Sequence, residues 1–178
     1  MSVRLVIAQG GWRMRRVLSA LLVLAGVGIA GAVAAQTQQI PQIGALLPSI
    51  VEVPAGDPLV IDGLWKISSI DKLIRIDRGR AYAIDGWVHL FVLKIQPGMV
   101  VLRHLKETGE GAFTGEDLPL AGALEAKLTG DRLLDVKVAG KLGPARYQLI
   151  PQQLDEADAF DTLVKRIRKA ESGHTEGQ

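Results

Sequence analysis

The chain has 178 residues, 48% of them hydrophobic and 22% charged, no cysteine and a formal charge of +2. Without cysteine it can use neither disulfides, nor thiol catalysis, nor a thiolate metal site. The positive charge sits in residues 1–35, which hold four arginines and no acid. Beyond them 17 basic residues stand against 19 acids, about −2, and this removes the field that a phosphate-binding surface needs, so nucleic acid is not an expected partner.

Trp12-Arg13-Met14-Arg15-Arg16 is a basic n-region, Val17 to Val33 is an uncharged apolar run, and Ala32-Val33-Ala34-Ala35 supplies the small residues of a cleavage site. This is the pattern of a signal peptide over 1–35, of bacterial type, cut near Ala35 and directing the protein to the periplasm or outside. The alternative is an uncleaved anchor helix, because Val17 to Ala35 is long enough to span a bilayer. Membrane contact is expected only through this segment. No cysteine follows it, so a lipid-modified amino terminus is excluded.

Residues 36–58 are rich in Gln and Pro with little periodicity, and read as a spacer or an arm lying on the domain. From Leu59 to Ile150 short β-branched runs alternate with turn signals. Strands are expected near 61–69, 73–77, 80–86, 88–95, 99–107, 119–128, 132–139 and 145–150. The fold class this implies is mainly β: an antiparallel meander curled into a small barrel of about eight short strands, since closure removes exposed edges.

Pro97-Gly98 suits a type II turn. A hairpin built on it sets Ile95 opposite Val100, Leu93 opposite Leu102 and Phe91 opposite His104, and leaves Leu90, Val92, Lys94, Val101, Arg103 and Leu105 on a half-apolar second face. In that register His89 and His104 are diagonal neighbours. A metal would need a third ligand, and the nearest cross-strand residue is Lys106; no metal or other cofactor is expected. His174 falls in the polar tail.

Leu154 to Ala170 places Leu154, Ala157, Phe160, Leu163 or Val164, Ile167 and Ala170 on one stripe of an amphipathic helix. Asp155, Glu156, Asp158 and Asp161 lie at its start and Lys165, Arg166, Arg168 and Lys169 at its end, complementing the helix dipole. Pro151 ends the last strand. The domain thus spans 59–171, and 172–178 reads as a disordered tail.

Ile-Asp-Gly occurs at Ile61 and again at Ile84, each followed by a tryptophan, but the surrounding residues do not match and no true repeat is present. Asp62, Asp71, Asp77 and Asp85 are spaced by 9, 6 and 8 residues, unlike a calcium loop, and suit turns whose backbone N–H groups they accept from. No nucleophile elbow, P-loop or dinucleotide fingerprint is present. The expectation is therefore a protein that binds rather than catalyses.

Gly63-Leu64-Trp65 opening the first strand, the strand meander, the late Arg146 and the following helix resemble a reduced lipocalin or calycin barrel. The resemblance implies that Trp65 closes one barrel end with Arg146 packed over it, and that a small hydrophobic or lipid-like ligand occupies the interior. Cavity candidates are Trp65, Tyr82, Phe91, Leu93, Leu102, His104 and Tyr147. The alternative is an envelope interaction module, an inhibitor, immunity or assembly factor, using the half-apolar face or the 36–58 arm. An enzyme using His89 or His104 is the third possibility.

Overall fold

The computed structural model describes residues 43–44, 46–120, 122–141 and 143–173. The expected signal peptide, the first part of the arm, His174 and most of the expected tail lie outside them. Eight strands close an antiparallel barrel: β2 (Gly63–Ile67), β3 (Lys72–Asp77), β4 (Arg80–Ala83), β7 (Val100–Gly109), β8 (Ala112–Asp117), β9 (Gly122–Leu128), β10 (Leu134–Gly140) and β11 (Gly143–Leu154). Each pairs with its sequence neighbour in the barrel, and β11 returns to β2, with Leu149 opposite Ile67. The helix α1 (Ala157–Gly173) follows.

Turn chemistry sets the register. In the β3–β4 hairpin Asp77 pairs with Arg80 across a two-residue loop, and Arg78 (φ 50°) and Gly79 (φ 83°) both take the left-handed φ that this tight connection requires. Asp62 is buried and accepts from the Leu59 and Arg78 N–H groups at 2.9 Å each. Asp85 accepts from the Leu73 N–H at 2.9 Å. Both Ile-Asp-Gly acids therefore tie a turn to a strand, as their types suggest.

One expected strand belongs elsewhere. Residues 88–95 form two three-residue strands, β5 (Trp87–His89) and β6 (Leu93–Ile95), which pair with each other outside the barrel. A third strand, β1 (Ile43–Gly44), adds to β6 in parallel. The Pro97-Gly98 turn does form, with the Met99 N–H donating to the Gln96 carbonyl at 3.1 Å and Gly98 at φ 84°. It does not make the β6–β7 hairpin, because Ala83 captures the chain on either side: Gly98 N–H donates to its carbonyl and its N–H donates to Met99. β7 accordingly pairs with β4 and β8, and the expected facing of 95 with 100, 93 with 102 and 91 with 104 does not occur. The eighth barrel place is filled by β8, which the sequence reading passes over.

Two bulges in β7 explain why that reading of faces fails. Near Val101 the register with β4 shifts, and at His104 (φ 56°) the register with β8 shifts, so Val101, Leu102 and Leu105 are all buried. The half-apolar surface expected around Val101 and Leu105 is thus core. Pro151 does not end β11 either. Pairing with β10 stops at Leu149, and the strand continues to Leu154 against β2 alone, where a proline removes no ladder bond on the free side.

The core is aliphatic around three large rings, Trp65, Phe113 and Phe160, each essentially inaccessible. Helix α1 plugs the barrel end where β2 begins. Its Phe160, Leu163, Val164 and Ile167 are buried, while Ala157 and Ala170 of the expected stripe are exposed, and Phe160 meets Trp65 edge to face at 5.9 Å between centroids. Leu154 belongs to β11 instead, and the helix runs on through Ser172 and Gly173, so the basic residues do not reach its last turn. They serve other ends: Arg168 donates to the Gly130 carbonyl and Arg166 pairs with Glu110 at 3.2 Å. Glycine suits position 111, since a Cβ would lie 2.6 Å from Ile167 Cδ1 and its φ is 65°.

Residues 46–58 run along the barrel wall. Ser49 bridges Met99, the Pro48 carbonyl accepts from Val100 N–H at 2.8 Å, and the Arg80 guanidinium donates to the Ile50 and Val53 carbonyls. On this arm Leu46 and Val51 are exposed while Leu47 packs on the core.

Candidate functional site

The helix fills one end of the barrel, and the other end holds a cavity of about 210 Å³ with mainly apolar walls. Ile67 and Ile70 at the end of β2, Ile74 of β3, Leu102 of β7 and Ala145 of β11 supply the apolar surface. The β5–β6 hairpin lies beside it and turns Trp87 and His89 toward the space, while Val88 and Leu90 of the same hairpin are exposed. The interior is thus packed near Trp65 and open near Tyr147.

A polar cluster interrupts these walls. Strand β8 alternates Phe113, Gly115 and Asp117 inward, which carries an acid into the barrel at only 4% exposure. Its Oδ2 accepts from the Tyr147 hydroxyl at 2.8 Å and its Oδ1 from the Leu120 N–H at 3.1 Å. Burial raises the carboxyl pKa above its usual value, opposed by these two bonds and by nearby His89. The same burial, with Asp117 alongside, pushes the Tyr147 hydroxyl well up. His89 is driven the other way: burial disfavours its imidazolium and lowers its pKa, and Asp117 only partly compensates.

Two further polar atoms in these walls have no protein partner, Trp87 Nε1 and His89 Nε2. Buried donors and acceptors are nearly always paired, with protein or with ordered water. The lining therefore carries a fixed carboxylate, a donor in Trp87, an imidazole nitrogen of either role and the exposed Arg146, on an otherwise mainly apolar floor.

The cavity candidates divide. Leu102 and Tyr147 line it. Trp65 is sealed at the far end, with its Nε1 donating to the Ile61 carbonyl at 2.8 Å. Tyr82 is half-buried on the outer barrel face, opposite Arg75 and Val100, because Ala81 and Ala83 take the inward positions of β4. Leu93 packs against the core from the side sheet, and Phe91 is 81% exposed at the hairpin tip. His104 is exposed at its bulge with Nδ1 3.4 Å from Glu116 Oε1, so it and His89 are not neighbours on one face.

Arg146 does not pack over Trp65. It lies on β11 on the cavity side of Leu149, five residues from the Pro151 that pairs with Trp65, or roughly 16 Å along a strand. The cation nearest that role is Arg132, whose guanidinium sits 5.2 Å from the Phe160 centroid and pairs with Asp161. Asp117, Trp87 and His89 are the site residues that the candidate set lacks. The signal for Asp117 was legible, as an acid in phase with the inward Phe113 of AFTGED.

Comparison of the chain with protein-family models, with curated proteins and with solved structures finds no match.

Proposed function

We propose that this is an exported, non-catalytic binding protein that takes a small, mainly apolar ligand into the open end of its barrel. The observation that carries the reading is the cavity in which the Asp117–Tyr147 pair and the unpartnered Trp87 Nε1 and His89 Nε2 meet apolar walls. Small-molecule sites have this composition, a hydrophobic enclosure with a few fixed polar groups. Architecture supports a lipocalin-like reading in part: a closed eight-stranded meander, a tryptophan sealing one end and a helix behind it. Arg146 lies away from that tryptophan, so the likeness rests on the barrel and Trp65.

Export rests on the basic n-region, apolar run and Ala32–Ala35 ending, and amino-terminal sequencing of the mature protein tests it. Binding is tested by native mass spectrometry of the exported protein and by titration with small aromatic molecules. Uptake is expected in the wild type and not in Ala145→Phe, which fills the cavity. Equal uptake by both proteins, or none by either, would sink the proposal.

A second reading, an envelope protein partner, is favoured by one observation. Leu90 and Phe91 are exposed at the tip of β5–β6 although both hold left-handed φ values, 49° and 67°. Strained exposed apolar residues often mark a contact site.

A further inference from the structure

We infer that the cavity selects small organic cations, a primary ammonium on an apolar body little larger than benzene, with the ammonium seated on Asp117. This rests on the cavity-binding reading above and adds the chemical class of the ligand.

Charge is the first argument. Asp117 is buried, and both groups that donate to it, the Tyr147 hydroxyl and the Leu120 amide, are neutral. Among the described residues no lysine or arginine forms an ion pair with it. Arg103 on the adjacent strand is committed to Glu116 at 2.7 Å, and Arg146, which lines the cavity from an exposed position of β11, is not among the groups bonded to Asp117. His89 is the remaining candidate counter-ion, and burial holds it toward the neutral form. A buried carboxylate without a countercharge is costly, whereas each oxygen here keeps a lone pair free for a further donor. An ammonium supplies both the charge and the donor. A carboxylate ligand, such as a fatty acid, would instead place two like charges in one enclosure.

Size is the second. A cavity of about 150 Å³ lined by aliphatic and aromatic side chains holds benzene, so 210 Å³ has room for one ring or a short branched chain with a polar head. Lipids with long tails do not fit that volume. Trp87 adds a further preference. Its N–H only donates, which an ammonium cannot satisfy, so an oxygen acceptor beside the amine would complete the pairing.

The test is a titration of the mature protein with four ligands of nearly one shape: benzylamine, benzyl alcohol, benzoate and toluene. The readout is the Trp87 indole N–H resonance, with that of Trp65, already bonded to Ile61, as an internal reference. Benzylamine is expected to bind at least about ten-fold more tightly than benzyl alcohol or benzoate, which is about 1.4 kcal/mol. Asp117→Asn is expected to erase that preference while leaving toluene binding in place. Benzyl alcohol or benzoate binding as well as benzylamine overturns the cation assignment and leaves the cavity reading standing. A preference that survives Asp117→Asn also overturns it. If no ligand moves the Trp87 resonance, the cavity reading fails as well. Should the variant not fold, the wild-type comparison of the four ligands decides alone.

Discussion

Tyr147 donates its hydroxyl to Asp117 Oδ2 at 2.8 Å across the barrel interior, joining the first half of β11 to the end of β8. The two strands are not neighbours in the barrel, since β9 and β10 lie between them. The bond therefore spans the lumen and fixes the carboxylate against the cavity wall. In Tyr147→Phe the ring remains but Asp117 loses a donor. We expect a loss of about 1–3 kcal/mol, the cost of a buried polar group left underpaired. Urea denaturation measures that loss, and carboxyl NMR titration is expected to show the Asp117 pKa raised further. An unchanged Asp117 titration would mean that the hydroxyl does not hold the charged form.

Stability should also depend on pH through His89. Burial lowers its folded pKa below the ordinary 6.5. Above that value both folded and unfolded chains carry a neutral ring. As the pH falls below it, the unfolded chain takes a proton that the fold refuses, so stability drops until the folded pKa is passed. Asp117 and Asp62 act oppositely and at lower pH: their raised folded pKa values let the fold bind protons first, so their unfavourable contribution diminishes as pH falls toward 3.8. His89→Gln is thus expected to flatten the decline in urea midpoint as the pH falls below about 6.5. A decline equally steep in the variant assigns it to other groups.

The barrel, its closing helix and most turns were legible because each rests on a local signal: β-branched runs, Asp-x-Gly or Pro-Gly turns, and a helical stripe. What misled was β7 and its surroundings. A period of two assigns faces only while the strand is regular, and bulges at Val101 and His104 change phase twice within a few residues. The Pro97-Gly98 turn was identified correctly, yet its two flanks go to different sheets because Ala83 competes for the backbone groups of Gly98 and Met99. That competition is a long-range event with no sequence pattern. The site suffered most, since His104, Phe91 and Leu93 were assigned from that register, whereas Leu102 and Tyr147 point inward under either pairing.

Gly63, the glycine of the Gly-Leu-Trp stretch, owes its identity to crowding as well as to φ. Its φ is 147°, and a Cβ would collide with the Gln153 carbonyl oxygen and lie 2.8 Å from Leu154 Cα, backbone brought close by the bulge in β11. Gly98 is a control with a positive φ of 84° and nothing within 4 Å. Gly98→Ala should cost about 1–2 kcal/mol from the left-handed backbone alone. Gly63→Ala adds overpacking of about 1–3 kcal/mol, so the difference between the two should exceed about 1 kcal/mol in chemical denaturation. Equal losses would show that β11 yields to the added methyl.

The tip of β5–β6 offers the last prediction. The Val92 N–H donates to the His89 carbonyl at 3.2 Å, and both central residues of that turn, Leu90 and Phe91, have positive φ. The β3–β4 turn meets the same demand with Arg78 and a glycine, Gly79. For non-glycine residues the left-handed conformation costs about 1–2 kcal/mol each. Neither side chain repays it by burial, since Phe91 is 81% and Leu90 47% exposed. Replacing Leu90-Phe91 by Asn-Gly, the sequence such turns favour, is expected to stabilise the protein by about 1–2 kcal/mol, less than the full strain because glycine also loosens the unfolded chain. Ligand uptake should persist, because Trp87 and His89, not the tip, face the cavity. Capture of an envelope partner by the wild type and not by this more stable variant would identify the tip as a contact surface. A variant less stable than wild type would show that Leu90 and Phe91 are held in place by favourable contacts.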